Sequence, residues 1–288
     1  MKLLWIATLL FSIQQIQPQD HLYITYKDKP IITLDRNDYI ATLLGEGFLD
    51  EEKYTKFLSY LEEQVYQDPE NAKIGKSGEI IKERVGVKIN KKEFTRRFYS
   101  SFLGHGNHIE VPITNIYPKV DSELLATIRA KRIGQYVTYF NASNKERSTN
   151  IALAATAIDN HVIFQNETFS FNKVVGKRTA SKGYLPAPEI VKGELIEGIG
   201  GGICQVSSTL FNAVDMAGVE IVKRYSHSKR VGYVPPGRDA TVSWYGPDFL
   251  FKNTYNQPIL LRAKAIEGRL IITVYSSEDI NFAPRKIR

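Results

Sequence analysis

The stretch Gly198-Ile199-Gly200-Gly201-Gly202-Ile203-Cys204 runs straight into an apolar repeat, and this junction constrains the fold more than any other feature of the chain. Val206, Leu210, Ala213, Val214 and Ala217 recur at helical spacing, and Gly218 supplies a left-handed stop, so the block predicts a helix with one apolar face. Such a face must be covered by a sheet or another helix. The glycines mark a loop ahead of it, which places Cys204 at the helix start.

That position matters chemically. Unpaired amides and the positive end of the helix dipole favour a thiolate, the nucleophilic form of cysteine. Gly201 and Gly202 would let a substrate backbone approach and offer amides to a developing oxyanion, while Gln205, Ser207 and Ser208 either donate to that oxyanion or cap the helix. Downstream, Val219 to Tyr225 reads as a strand that delivers His227, the only histidine after Cys204. Asp239 then opens a further predicted strand to Trp244, with Ala240, Val242 and Trp244 on one face. Nucleophile, base and orienting carboxylate in this order suit cysteine acyl transfer. A buried structural cysteine explains the same residue equally well, because free cysteine is among the most buried residue types.

Cys204 is the sole cysteine, so no intramolecular disulfide forms and the fold must rest on its core. One cysteine and one distant histidine make half a zinc site, and the His105/His108 pair lacks further ligands and reads as a loop. No metal and no cofactor are expected.

Residues 1–19 join one lysine to a short apolar run and a polar tail, the outline of a secretory signal or N-terminal anchor. The run is shorter than the roughly 20 residues that span a bilayer. Residues 20–133 read as an α+β domain: a hairpin of 22–26 with 30–34, a helix from Glu51 to Gln67, a short hairpin from Gly78 to Ile89, a second helix from Lys91 to Leu103, and an extended segment at 109–113. A short helix from Asp121 to Arg132 then leads to a strand at 136–140. In residues 134–288 a helix from Ile151 to Ile158 has cap candidates at Ser148 and Thr149. Strands follow at 162–164 and 168–171, and a hairpin turns at Glu267-Gly268.

The net charge of +7 suits either nucleic acid or a wall of anionic polymers, and the export signal favours the wall. The cluster from Lys88 to Arg97 would grip such a polymer or form a solvated helix face.

Several ordered blocks resemble the VanW domain: Phe169-Ser170-Phe171-Asn172, Val175 to Arg178, Gly183-Tyr184, Gly200 to Leu210, His227-Ser228, Val231 to Gly237 and Asp239 to Val242. The resemblance runs from about Gly134 to Tyr275. It departs at Gln165-Asn166, where a Pro-Gly turn is usual, and only that turn should change. The preceding region is similar to the peptidoglycan-binding domain that often accompanies VanW. The implied class is α+β, with the cysteine-bearing helix packed on a mainly antiparallel sheet. The resemblance also implies L,D-transpeptidation, the formation of 3-3 cross-links in peptidoglycan, with Cys204 as nucleophile. The His-Gly-Cys signature of the better-known L,D-transpeptidases is missing, which would make the chemistry convergent.

The residues themselves suggest His227 as base and Asp239 as its orienter, with Arg178 and Arg238 placed to bind a stem-peptide carboxylate or to pair with surface acids. Tyr233 would line a groove or pack in the core. The expectation is therefore an extracytoplasmic peptidoglycan-modifying cysteine enzyme. Its partners are stem peptides, anionic wall polymers are compatible with its charge, nucleic acid is not expected, and membrane contact comes only through an uncleaved leader. A papain-like peptidase or amidase, and a non-catalytic wall-binding or assembly protein, are the alternatives.

Overall fold

The computed structural model describes residues 21–43, 46–191 and 194–286. The leader at 1–19 lies outside the described residues. Two compact units are present: residues 1–70 with 84–118, and residues 71–83 with 119–288. In chain order the first unit opens with β1 (His21–Tyr26), β2 (Lys29–Asp35), β3 (Ile40–Leu43), β4 (Glu46–Leu49) and α1 (Glu51–Val65). The second unit takes β5 (Lys73–Ile74) and β6 (Ile80–Ile81), and the first resumes with β7 (Gly86–Ile89), α2 (Lys91–Phe102), β8 (His108–Glu110) and β9 (Ile113–Ile116).

In the first unit β1 pairs antiparallel with β2 and parallel with β8, while β7 pairs with β9 and β3 with β4. Side-chain caps start both helices. Asp50 accepts from the amides of Glu52 and Lys53, and Asn90 accepts from the amide of Glu93. Phe57, Leu61 and Val65 of α1 meet Phe94 and Phe98 of α2 over Leu22 and Ile24. Arg96 and Arg97 both pair with Glu93, and Lys91 pairs with Glu62, so much of the basic cluster is neutralised locally. The hairpin expected from Gly78 to Ile89 does not form. β6 instead turns back on the neighbouring β5, and β7 pairs with the more distant β9.

The second unit continues with α3 (Ser122–Ile128), β10 (Lys131–Tyr139), α4 (Lys145–Ile158), β11 (Val162–Ile163), β12 (Thr168–Ser170), α5 (Phe171–Val175), β13 (Pro186–Val191), β14 (Glu194–Ile199), α6 (Ile203–Met216), β15 (Glu220–Lys223), β16 (Leu250–Lys252), β17 (Ile259–Ile266) and β18 (Arg269–Ser276). Its main sheet is antiparallel, in the order β10-β18-β17-β11. Glu267 and Gly268 both hold positive φ in the predicted hairpin turn between β17 and β18. A smaller antiparallel sheet runs β12-β16-β15, and β13 with β14 forms a ribbon.

Several elements differ from their sequence outline. The helix expected from Asp121 to Arg132 stops at Ile128, because β10 claims residues from Lys131 onward for pairing with β18. A division at 133/134 would therefore fall inside β10. α4 begins at Lys145, well before Ile151, because the Asn144 side chain accepts from the Arg147 amide, a cap that Ser148 and Thr149 were expected to provide. Residues 239–244 form no strand. Ala240 and Val242 face inward as expected, but Trp244 is 41% exposed.

α6 and α4 cover the main sheet. Val206, Leu210, Ala213 and Val214 are fully buried, and so are Ser207, Ser208, Thr209 and Asn212. α6 is thus enclosed on its polar side as well as its apolar one. Among the described residues no helix is long and apolar enough to cross a membrane.

Candidate active site

Gly202 caps α6 with φ 107°, a left-handed conformation that L side chains rarely adopt, and Cys204 follows in the first turn. A Cβ on Gly201 would stand 2.2 Å from the Ala187 carbonyl oxygen, so β13 approaches the loop as closely as backbone allows. Asn150 of α4 fixes this junction: its Nδ2 donates to Leu185 O (2.8 Å) and Gly201 O (3.0 Å), and its Oδ1 accepts from the Leu185 amide (2.8 Å). The amides of Gly201, Ile203 and Gln205 are engaged within the turn, by the carbonyls of Gly198, Gly200 and Gly202.

The same helix positions the other two members of the expected triad. Ser208 Oγ donates to Cys204 O (2.7 Å) and accepts from the Ala240 amide (2.8 Å), Ser207 Oγ donates to Ala240 O (2.5 Å), and Asn212 Nδ2 donates to Arg238 O (2.8 Å). The Arg238 carbonyl and both backbone groups of Ala240 are therefore satisfied by side chains of α6 in place of a strand partner. Asp239, carried on this strip, accepts through one oxygen from the His227 amide (2.6 Å) and from His227 Nδ1 (2.7 Å). A further backbone bond, Thr241 N–H to Tyr225 O (2.8 Å), ties the strip to the segment that carries His227.

Cys204 is half-buried as a residue, and its Sγ lies 3.4 Å from Val242 O and 3.7 Å from Thr241 Oγ1. It opens into a cleft of about 880 Å³, whose wall includes Arg147, Arg178, Gln205, His227, Tyr233 and Trp244. Burial pushes the Cys204 thiol up, but the hydrogen bond and charge of His227, with backbone and hydroxyl bonds from Val242 and Thr241, carry it below the ordinary thiol value. For His227, burial works downward, and the bonds and charges of Cys204 and Asp239 overcome it and raise the imidazole. Asp239 is lowered, its desolvation outweighed by the bonds from His227. All three shifts run in the direction that favours a thiolate and an imidazolium backed by an ionised carboxylate. An ionised carboxylate only accepts, so Nδ1 carries its proton toward Asp239.

The remaining candidates separate into two groups. Gly202, Gln205, Arg178 and Tyr233 line the cleft with Cys204 and His227, whereas Gly201, Ser207, Ser208 and Arg238 lie behind it. Arg238 bridges to Asp215 (2.8 Å), donates Nε to Asn212 Oδ1 (2.7 Å) and stacks 4.6 Å over Phe211. Gln205 donates to Thr138 Oγ1 and Tyr139 O and accepts from Arg147 Nη2 (2.9 Å). Arg147 escaped the sequence reading, which began α4 too late. Starting the helix at the Asn144 cap places residue 147 one turn before Ile151, on the buried face.

Comparison with known proteins then bears on residues 146–275, which match the family model described as VanW like protein, and on residues 29–108, which match the model described as "Putative peptidoglycan binding domain". The YoaR protein of Bacillus subtilis (strain 168), described as an uncharacterized protein, is 59% identical over 283 residues, 98% of this chain and 93% of that protein. No solved structure matches the chain.

Proposed function

The chain belongs to the VanW-like family and carries a peptidoglycan-binding domain, and from that premise we propose that it is an exported cell-wall enzyme that transfers stem-peptide acyl groups through Cys204. The observation that carries this reading is that Cys204 and His227 line one cleft with Asp239 bonded behind the imidazole, the thiol being lowered and the imidazole raised.

The Cys204 thiolate attacks a stem-peptide carbonyl carbon and the C–S bond forms. The His227 imidazolium then protonates the departing amine as the C–N bond breaks, which releases a terminal D-amino acid. The amine of a second stem peptide next attacks the thioester, gives its proton to His227 and displaces the thiolate, so that one C–N bond forms as the C–S bond breaks. Asp239 holds the Nδ1 proton throughout. Gly202, Gln205, Arg178 and Tyr233 contact the substrate, while Gly201, Ser207, Ser208 and Arg238 hold the frame.

Mass spectrometry of disaccharide-tetrapeptides incubated with the purified chain tests the reaction. A cross-linked dimer that has lost one D-amino acid, absent with Cys204→Ala, is the expected product. Shortened monomer alone would mean that water accepts the acyl group, as in a papain-like peptidase or amidase. Unaltered substrate with retained peptidoglycan binding would leave a wall-binding protein without catalysis.

A further inference from the structure

Two guanidinium groups share the cleft wall with Cys204, and neither has a carboxylate ion-pair partner among the described residues. The stem of Arg147 packs on the glycine loop, since a Cβ at Gly202 would meet its Cγ at 3.1 Å. One of its nitrogens donates to Gln205 Oε1 (2.9 Å), and Gln205 is itself fixed by Thr138 and Tyr139. The titratable groups that face Arg147 are Tyr233 and Cys204. Arg178 donates to Asn172 Oδ1 (2.9 Å) and Gly176 O (3.2 Å), and Asp248 and Glu189 act on it only from beyond ion-pair distance, alongside Cys204 and Tyr184. Withdrawing a guanidinium from water without a counter-ion is unfavourable, and the cost falls when a ligand brings the anion in.

From this arrangement we infer that Arg147 and Arg178 form a carboxylate-binding subsite beside Cys204, which selects acyl donors whose departing amino acid has a free α-carboxylate. The inference rests on Cys204 being the acyl-transfer nucleophile. Both arginines pack on the glycine loop that leads into Cys204, Arg147 against Gly202 and Arg178 against Gly200, and both line the cleft with Cys204, so an anion they hold sits near the bond being broken. The α-carboxylate of the departing residue meets that condition, because only its nitrogen and Cα separate it from the scissile carbonyl carbon. The incoming amine must take the place of the departing one, so the same subsite favours acceptors with a carboxylate next to the amino group. Arg147 is therefore a specificity-determining residue, and its planar fork suits a carboxylate better than a lysine would.

Alkylation of Cys204 in the full-length protein tests the subsite without any cross-linking readout. Iodoacetate and iodoacetamide react alike but differ in charge. The ratio of their rates in the folded protein should exceed that of the urea-unfolded chain by about tenfold, and Arg147→Gln should remove most of the excess while Arg147→Lys keeps part of it. On the unaltered protein, N-acetyl-D-alanine should slow iodoacetamide labelling where N-acetyl-D-alaninamide does not. Equal ratios in folded and unfolded protein, or equal protection by acid and amide, would overturn the subsite. Protection by inorganic phosphate matching that of N-acetyl-D-alanine would overturn its assignment to carboxylates. A raised ratio in a protein inert toward muropeptides retires the reaction and keeps the subsite; cross-linking with a ratio indifferent to Arg147→Gln does the reverse.

Discussion

One oxygen of Asp239 accepts from both the backbone amide and the ring Nδ1 of His227, at 2.6 and 2.7 Å. These two hydrogen bonds fix where the imidazole sits and which nitrogen holds its proton, and they leave Nε2 as the ring nitrogen available to Cys204. The pair has side-chain exposures of only 5% and 10%, so water competes little for either group.

Asp239→Asn tests that arrangement. An amide cannot serve as a charged acceptor for two donors, and its NH₂ favours the wrong imidazole tautomer. Turnover on tetrapeptide substrate should fall on the order of 10³- to 10⁴-fold with the fold intact by circular dichroism. Turnover within tenfold of the unaltered protein would show that Asp239 orients nothing the reaction needs.

The coupled shifts of Cys204 and His227 predict a pH window for reactivity. A lowered thiol stays ionised below the ordinary thiol value of about 8.5, and is protonated only as the pH falls through its own reduced value. A raised imidazole stays protonated above the ordinary value of about 6.5, and loses its charge as the pH rises through its own elevated value. Iodoacetamide labelling should therefore fade only on the acid side, whereas turnover should fall on both sides, because the leaving amine needs the imidazolium. In His227→Ala only the bonds from Val242 and Thr241 still oppose burial at the thiol, and labelling near neutral pH should drop about tenfold. A labelling profile centred on an ordinary thiol in both proteins would count against the ion pair.

Ser208 joins the two halves of the site through a single hydroxyl. Ser208→Ala leaves the buried Ala240 amide without an acceptor, which costs about 1–3 kcal/mol and loosens the strip that carries Asp239. A urea midpoint and turnover both indistinguishable from the unaltered protein would refute this account.

Arg238 supplies the contrast with Arg147. Its bridge to Asp215 and its place over Phe211 make it a clamp behind the cleft, with side-chain exposures of 19% and 13% for the pair. Arg238→Ala should lower stability by about 2 kcal/mol, yet leave the iodoacetate-to-iodoacetamide ratio at Cys204 unchanged. A fall in that ratio as large as that of Arg147→Gln would place Arg238 in the substrate site.

How much of this was legible from sequence depends on the reach of each signal. Helix α6, the helices α1 and α2, and the β17/β18 hairpin follow from periodicity, caps and a turn dipeptide, all of which act over a few residues. The apparent strand at 239–244 misled because alternating Ala240 and Val242 do face inward, but against helix side chains. Arg147 was hidden by a cap misplaced by about one turn.

Local order along the chain therefore determined that a lone thiol would stand at a helix start after a glycine loop, since backbone freedom and apolar spacing are properties of neighbours. Only the tertiary structure decided that Ser207, Ser208 and Asn212 of that helix would anchor the Asp239 strip, and that an arginine from α4 would reach the same cleft. The partners in those hydrogen bonds lie 26 to 58 residues apart, and nothing in a sequence window specifies which buried polar group will satisfy another at that distance.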